Sequence, residues 1–598
     1  MKKHHLAVAM LLLFISRLHA ENLKDTIKIN EIVVTGSKKE VSRKLIPLSV
    51  SQISNEEIEN TGEINILPTL STYSPGIFVT ERNILGFGVS SGGAGAISIR
   101  GVSGTPNTDV LVLIDGDPQY QGIFGHPLPD AYVASDVKKV EIIRGPGSIL
   151  YGSNAMAGVV NIITKQQNDE GFKSNLGASY GSYNTKKLYG TLGYKKDKLS
   201  VFASVNHDQT DGVRENSDFK IFNSYLKLGY QINKHFNLTA DLNMAKFIAH
   251  DSIYGGEPEL FGINILRGKA AVSLENKFDK SEGAIKLFNN FGTHDLSDGW
   301  YSTDRNSGMM IYQTFKAFKG NSITVGIDAK QYGGKANMGM ARDSLILITE
   351  VAGYAYVQQS ICKQLSLTAG LRIENNSDYG NELVPMAGLT YNPGSNTSLK
   401  ASASKGFRSP TMMEMYLFAP NQDLKPEKLF NYDISWIQQY REGKLNTELT
   451  LFLVNAKNMI QTANYVRSNS GSFTNKGIEF AINYRVAKNL HLHGNYSYLN
   501  LSKPLLAAPE HQFNVSANYD YKIFNVNIST QHIQNLYTSL NPDIKQSYTL
   551  LNMRVQAQVQ KNASVFVMAN NLLNQKYEIN YRYPMPEINF SVGIKLTL

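Results

Sequence analysis

Two sets of side chains in this sequence could do chemistry. Thioether sulfur is a soft ligand suited to copper, and methionines recur in short groups, at Met309, Met310, Met338, Met340, Met412, Met413 and Met415. Methionine is also a flexible packing residue, and packing accounts for the same positions. His250, Asp251 and His294 could support acid–base chemistry, but no spacing among them defines a catalytic constellation. These residues leave a metal ligand set unknown and provide no motif for an enzyme.

The elements that would position these residues repeat one pattern from Gly171 to the end of the chain. Short segments alternate apolar and polar residues between Gly, Asn, Asp, Ser or Lys turns, and in the last segment Phe590 and Val592 share one face. We count 22 such segments. Their spacing of about 19 residues accommodates a membrane strand of about 10 residues and its connection. The pattern predicts an all-β transmembrane barrel of about 22 antiparallel strands.

Composition and the first residues agree with an exported chain. Residues 1–20 carry two lysines, a ten-residue apolar run and a Leu-His-Ala site, which predict a signal peptide cleaved after Ala20. That run is too short for a spanning helix, and the remaining sequence has no 18-residue apolar stretch, which excludes a helical membrane protein. The lone Cys362 cannot form an intramolecular disulfide. Lysines and arginines are dispersed despite the net charge of +9, so no nucleic-acid partner is expected.

Residues 41–165 differ in kind from the repeats and predict a small α/β domain with a mixed sheet. Ser54 and Glu57 form a capping box, which predicts a short helix ending near Gly62. Continuous apolar runs at 110–114, 137–143 and 159–163 predict buried strands, and the intervening ASDVKK is typical of a helical connection. A barrel of about 22 strands is wide enough to enclose such a domain.

A soluble all-β fold is the alternative to the membrane barrel. Propellers and β-helices also repeat short strands, but the same turn residues recur in their repeats at a fixed period. This sequence shows no such period. Tyrosines near segment ends suit the aromatic girdles of an outer-membrane barrel; they include Tyr194, Tyr230, Tyr391, Tyr484, Tyr519 and Tyr521. The pattern therefore favours the membrane barrel.

Several strings resemble those of TonB-dependent outer-membrane receptors. They are AISIRGV at 96–102, VLVLIDG at 110–116, VEIIRGPGSILYGSNAMAGVVNIITK at 140–165, GFRSPT at 406–411 and LKPE at 424–427. The resemblance implies a plug at 41–165 inside a barrel at 166–598. It also implies an integral, multi-pass protein surrounded by the lipid of a Gram-negative outer membrane, which actively transports a small-molecule metal chelate and is not an enzyme.

The resemblance extends to residues 21–40, which would form a segment that binds TonB and its inner-membrane energising complex. Glu31, Ile32, Val33, Val34 and Thr35 match the TonB box. An extended five-residue segment can add a strand to the edge of another protein's sheet, which gives a grip that is easily released. The alternative is that these residues form a buried plug strand.

Two plug arginines match family positions that pair with barrel glutamates. Arg100 and Arg144 are the arginines, and Glu427 and Glu479 lie on the inward faces of predicted strands. Arginine suits bidentate pairing with a carboxylate. We expect these four residues to lock plug to barrel, the alternative being four hydrated charges in a wet lumen.

The resemblance places residues 119–126 at the extracellular apex of the plug. Tyr120, Phe124 and His126 there could stack on or ligate a bulky complex, near the glycine-rich stretch at 86–95. That stretch is not a phosphate loop because no Gly-Lys-Ser/Thr follows it. Turn residues capping a polar loop are the alternative.

The cargo has four candidates: a ferric siderophore, haem, cobalamin or copper. No intrinsic cofactor is expected. The Phe407-Arg408-Ser409-Pro410 and Asn421-Gln422-Asp423-Leu424 strings depart from the boxes of haem receptors, and no histidine lies between them. We therefore expect a siderophore, with cobalamin as its nearest rival because the length and plug sequence are similar to those of cobalamin transporters. The sequence leaves open whether a surface lipoprotein assists and what the oligomeric state is.

A barrel enzyme or adhesin and a passive porin are the other function classes. Neither would need an internal plug or a TonB-binding segment, and a porin would transport without a proton gradient. The sequence therefore favours the energised transporter over both.

Overall fold

The computed structural model describes residues 33–34, 37–39, 41–89, 95–103, 107–251, 261–338 and 344–598. The predicted signal peptide lies outside these residues. Two units are visible, a closed barrel from Gly171 onward and a smaller α/β plug within it. In the part of the chain that is described, no helix is long and apolar enough to cross a membrane.

The barrel closes with 22 antiparallel strands, which confirms the prediction from the sequence. The strands are β10 Gly171–Gly181, β11 Thr185–Lys196, β12 Leu199–Thr210, β13 Phe219–Gln231, β14 Phe236–His250, β15 Gly262–Lys277, β16 Ser281–Leu296, β17 Tyr301–Phe315, β18 Asn321–Ala336, β19 Ile346–Ser360, β20 Leu365–Asn376, β21 Gly380–Tyr391, β22 Thr397–Arg408, β23 Glu427–Tyr440, β24 Leu445–Ala463, β25 Val466–Ala487, β26 Leu490–Leu501, β27 His511–Tyr521, β28 Phe524–Leu540, β29 Asp543–Gln560, β30 Ala563–Asn570 and β33 Asn589–Thr597. Strand β33 pairs with both β30 and β10, so the ring leaves no unpaired edge.

The alternation of residue types sets which face of each strand points outward. On β33, Phe590, Val592 and Ile594 are exposed on the outer face, whereas Asn589 is buried. Tyr230, Tyr391, Tyr519 and Tyr521 are also exposed, each beside a short connection. An apolar outer face bordered by tyrosines suits a barrel surrounded by hydrocarbon.

The two ends of the barrel have different connections. Residues 197–198, 278–280 and 488–489 are short turns at one end, which we call the turn end. Residues 409–426 and 571–588 are long connections at the opposite end, which we call the loop end. The first contains helix α4 Met412–Tyr416 and the second contains strands β31 Glu578–Asn580 and β32 Tyr583–Pro584.

The plug is built on a five-stranded mixed sheet in the order β3-β8-β9-β6-β7. These strands are β3 Ser49–Ser54, β6 Val110–Ile114, β7 Asp117–Gln119, β8 Val137–Arg144 and β9 Gly158–Thr164. Only β6 and β9 pair in parallel. The remaining short strands are β1 Val33–Val34 paired with β2 Val41–Ser42, and β4 Ile77–Val79 paired with β5 Ile97–Ile99. All three predicted buried strands are present within one or two residues of their expected ends.

The plug helices are short. They are α1 Asn55–Thr61, α2 Leu67–Tyr73 and α3 Ser148–Tyr151, with single 3-10 turns at Arg43–Leu45, Pro129–Ala131 and Ala134–Asp136 and a fourth in the barrel at Arg441–Gly443. The capping box at Ser54 is formed and α1 ends at Gly62 in the left-handed conformation, as predicted. The helical connection expected at ASDVKK is wrong beyond its first three residues, because Val137 to Lys139 join β8 and pair with β3 and β9.

Candidate functional site

Arg100 attaches the plug to the barrel wall through a bidentate ion pair. It follows β5, and its Nε and Nη2 donate to the two carboxylate oxygens of Glu479 at 2.8 and 3.0 Å. Its Nη1 donates to Asp433 at 2.7 Å. All three side chains are about 1% exposed. Because buried charges need partners, this geometry stabilises the plug in one position.

Arg144, at the end of β8, reaches the same carboxylate. Its Nη1 lies 2.6 Å from Glu479 Oε2 and its Nη2 lies 2.9 Å from Glu448 Oε1. Arg43 binds the second oxygen of Glu448. Three plug arginines thus meet three carboxylates on β23, β24 and β25, and we call these six residues the arginine cluster.

Half of the arginine cluster was not predicted from the sequence. Asp433 and Glu448 lie in otherwise ordinary strand segments, and Arg43 precedes the plug sheet. A signal for the carboxylates existed, because each falls on the inward face of its strand, where a carboxylate needs a partner. No comparable signal marks Arg43.

Glu427 lies elsewhere, so the expected pairing with a plug arginine is corrected. Its Oε2 accepts from Arg408 Nε at 2.6 Å and its Oε1 accepts from the Ile460 amide at 2.6 Å. Arg408 also donates to Glu414 of α4. Glu427 begins β23 at the loop end, where the nearest cation comes from the neighbouring strand β22. It therefore organises the 409–426 connection.

The apical residues Tyr120, Phe124 and His126 are brought together only in part. Phe124 packs edge-on against Trp300, with ring centroids 5.6 Å apart, and lies 5.9 Å from the ring of His126. Tyr120 is instead buried against Tyr332, at 5.9 Å. Burial lowers the pKa of His126, whose Nδ1 lies 2.9 Å from the Pro127 carbonyl oxygen.

A row of aromatic rings at the loop end was not foreseen from the sequence. Trp300 lies between Phe124 of the plug and Phe418 of the 409–426 connection, 5.4 Å from the latter ring. Phe418 is 49% exposed. We call Phe124, Trp300 and Phe418 the aromatic row. These residues come from three separate segments, so no local motif could have identified it.

Helix α4 ties the aromatic row to the plug. The amide of Met413 donates to the carbonyl of Ile123 in the apical loop at 3.0 Å. Arg467 donates to main-chain oxygens around the end of α4, including that of Glu414 at 2.9 Å. A displacement of the apical loop would therefore be felt by the 409–426 connection.

The glycine-rich stretch is described only at 86–89 and 95. Gly86 and Gly88 have positive φ values, and there a Cβ would overlap Phe219 and Asp251 of the barrel. Residues 90–94 lie outside the described residues. The described glycines allow close approach to the wall.

Of the predicted TonB box, only Val33 and Val34 fall within the described residues; Glu31, Ile32 and Thr35 lie outside them. Val33 pairs with Ser42 and Val34 with Val41 in an antiparallel register. The backbone of these two residues therefore occupies a small hairpin with the start of the plug.

Among the described residues, no group of three or more His, Cys, Asp or Glu side chains could hold a metal ion. Apart from Met309, the described methionines of these groups pack in the interior. Met412 and Met415 of α4 are buried in the core, and Met309 faces outward from the barrel. Met340 lies outside the described residues.

Comparison with known proteins matches both units. The model of the TonB-dependent receptor plug domain matches residues 42–159, and that of the TonB-dependent receptor-like β-barrel matches residues 160–572. The chain is 24% identical over 650 residues to an iron-regulated outer membrane virulence protein of Vibrio cholerae, covering 96% of this chain and 95% of that protein. It is 24% identical over 632 residues to the vitamin B12 transporter BtuB of the same species, covering 99% of each.

Among solved structures, the siderophore receptor PirA from Acinetobacter baumannii is similar, with a TM-score of 0.78 and 17% identity. The match covers 92% of this chain and 98% of that one. At this identity the likeness concerns the fold.

The arginine cluster predicts that Arg144→Ala loosens the plug. The change leaves Glu448 and Glu479 each with one cation fewer, which reduces the free energy that holds the plug in place by about 3 kcal/mol. The population of displaced plugs should then rise roughly a hundredfold. Conductance across planar bilayers should rise above that of the unmodified protein. The exposed Arg305→Ala is the control, and equal conductance for both variants would contradict the account.

The placement of Glu427 makes a second prediction. Glu479→Gln should raise bilayer conductance, because two plug arginines lose a carboxylate. Glu427→Gln should not raise conductance, because its partner Arg408 belongs to the barrel and retains its charge beside Asp109 of the plug, 3.7 Å away. This variant should instead make the 409–426 connection more sensitive to limited proteolysis. A rise in conductance with Glu427→Gln as large as with Glu479→Gln would show that the two carboxylates share one role.

Proposed function

Because this chain belongs to the TonB-dependent receptors of the Gram-negative outer membrane, we propose that its cargo is a ferric siderophore. The barrel spans the membrane, its turn end faces the periplasm and its loop end faces the medium. The chelate binds at the loop end, and energy delivered through TonB moves the plug so that the chelate passes.

The aromatic row carries the proposal for the cargo. Phe124 belongs to the plug, Trp300 and Phe418 to barrel connections, and all three rings lie at the loop end. Phe418 is 49% exposed and gives a chelate a flat apolar surface against which its own rings or backbone can stack, worth about 1 kcal/mol beyond area burial, while the buried Trp300 supports that ring from beneath. A few such contacts bind a bulky complex yet still permit its release.

The alternatives receive less support. Buried methionines in α4 favour packing over copper ligation. Haem usually needs an axial ligand from the protein. In the first of the two strings that were compared with haem receptors, residues 407–410, Phe407 is buried and Arg408 is bound by Glu414 and Glu427, so neither side chain is available to haem. Cobalamin is the second candidate, because a vitamin B12 transporter matches the chain over nearly its whole length.

The arginine cluster and the N-terminal hairpin would couple energy to transport. Residues 31–35 are proposed to add as a strand to the edge of a TonB sheet. To do so, Val33 and Val34 must first separate from the short strand β2. Two ladder positions are a weak hold, so TonB can compete for them. Force on this segment then acts on the plug, which Arg100, Arg144 and Glu479 hold until they separate.

Deleting residues 31–36 should abolish uptake of the chelate while binding at the cell surface and barrel assembly remain. Transport of iron-55 chelate into whole cells measures the first, and binding to de-energised cells the second. A matched control replaces residues 21–26, which lie in the same N-terminal region but outside the box. Transport by the deletion strain at the unmodified rate would exclude the coupling role.

A ligand panel tests the cargo. The purified receptor should bind at least one ferric siderophore more tightly than haemin, cyanocobalamin or a copper chelate, as measured by calorimetry. Binding should quench the fluorescence of Trp300, identified with Trp300→Phe, but not that of the outward-facing Trp436. Tight binding of cyanocobalamin or copper alone would overturn the choice.

Phe418→Ala should weaken siderophore binding by about fivefold to tenfold, since it removes one stacking surface. Phe318→Ala is the control, because Phe318 is also exposed but lies at the turn end. Unchanged affinity in Phe418→Ala would remove the aromatic row as the site even if a siderophore is bound.

A further inference from the structure

A second set of charged contacts holds the plug, and in this set the plug supplies the carboxylates and the barrel supplies the cations. Asp115 in the turn after β6 and Asp117 at the start of β7 face inward-pointing lysines of the barrel wall. Lys227 Nζ lies 2.9 Å from Asp115 Oδ2, Lys269 Nζ lies 3.1 Å from Asp117 Oδ2, and Lys286 Nζ lies 3.4 Å from Asp117 Oδ1. We call Lys227, Lys269 and Lys286 the lysine triad.

The lysine triad lies across the barrel from the arginine cluster. Its residues are on β13, β15 and β16, the fourth, sixth and seventh strands of the 22-stranded ring, whereas the arginine cluster uses the fourteenth to sixteenth. Burial alone would raise the pKa of Asp115, but Lys227 and Lys269 outweigh it and hold that pKa below its usual range. The plug turn therefore carries charged carboxylates into a basic wall.

A large basic cavity adjoins the lysine triad. It has a volume of about 990 Å³, opens at the turn end, and is lined by eleven lysines against five carboxylates, including Lys227, Lys286, Asp115 and Asp117. The cavity beside Arg43 and Glu448 has about 330 Å³. The cavity on the lysine side is thus about three times the volume of the one on the arginine side.

Residues just after the TonB box form part of this cavity. Lys39 Nζ donates to Ser322 Oγ at 2.7 Å, and Lys38 Nζ lies 4.1 Å from the ring centroid of Tyr151. Both lysines line the cavity. Force applied to residues 31–35 breaks the β1–β2 pairing and then pulls on these two contacts at the edge of the cavity.

We propose that the lysine triad and its cavity form an anion-binding exit site. Asp115 and Asp117 occupy it as internal anions in the resting plug, and the carboxylate, catecholate or phosphate groups of the cargo replace them when the plug moves. This inference rests on the proposed function and narrows it: the cargo carries a net negative charge. Lysine suits a transfer step because its ammonium is a mobile, strongly hydrated point charge that does not grip an oxyanion bidentately.

The test removes the internal anions from the full-length purified receptor. Citrate is the probe, titrated by calorimetry at low ionic strength. Asp115→Asn with Asp117→Asn should bind citrate at least tenfold more tightly than the unmodified protein, because Lys227 and Lys286 lose their plug carboxylates and Lys269 keeps only Asp241 of the barrel, at 2.8 Å. The control, Asp211→Asn with Asp543→Asn, makes the same change in net charge at exposed loop-end positions and should leave affinity unchanged.

Adding Lys227→Met and Lys286→Met to the Asp115/Asp117 variant should abolish the gain. No gain in the first variant, an equal gain in the control, or a gain that survives removal of the lysines would each overturn the exit site. Circular dichroism and heat-modifiable electrophoretic mobility show whether each variant is folded, and a variant that fails them is replaced by Asp117→Asn alone, with the same expected direction.

The titration is independent of the siderophore proposal, because it needs neither TonB nor uptake. If the ligand panel fails while citrate binds as expected, the cargo assignment falls and the anion site stands. If the receptor transports only uncharged chelates, the anion site is overturned while the transporter stands.

Discussion

The structure depends on compensating buried charge between the plug and the barrel wall. Glu479 accepts from both Arg100 and Arg144 in a region about 1% exposed, where a lone carboxylate would cost several kcal/mol. Such contacts stabilise one position of the plug strongly and an intermediate displacement poorly. They suit a part that must stay closed until force is applied.

Other contacts between the plug and the barrel act together with these buried charges. Apolar residues of the wall, including Phe452 and Val454, also join the buried core of the plug. The charged contacts differ from this apolar packing because they regain hydration when the plug moves, which lowers the free-energy cost of separation. At the loop end, the hydrogen bond from Met413 to Ile123 joins the 409–426 connection to the plug. At the turn end, Lys39 joins the N-terminal segment to Ser322 of the wall, and Lys38 lies between Tyr151 of the plug and Tyr312 of the wall. Contacts at the loop end and at the turn end of the barrel therefore both act on the plug.

Period-two alternation was enough to predict the strand number, because each strand has one lipid face and one interior face. The capping box at Ser54 likewise predicted α1. Contacts between distant segments could not be predicted in this way. Glu427 and Glu479 both point inward, and only the register of the strands shows that Glu427 pairs with Arg408 whereas Glu479 pairs with Arg100. The aromatic row was missed for the same reason, since its rings are about 120 to 290 residues apart in sequence.

Single-molecule force spectroscopy tests the central claim most directly, by pulling the receptor from its N-terminus in a lipid bilayer, as TonB is proposed to do. We expect a rupture event within the plug while the barrel stays intact. Its force should be clearly lower in Glu479→Gln than in the unmodified protein. The same rupture force in both proteins would contradict the claim that buried charge holds the plug.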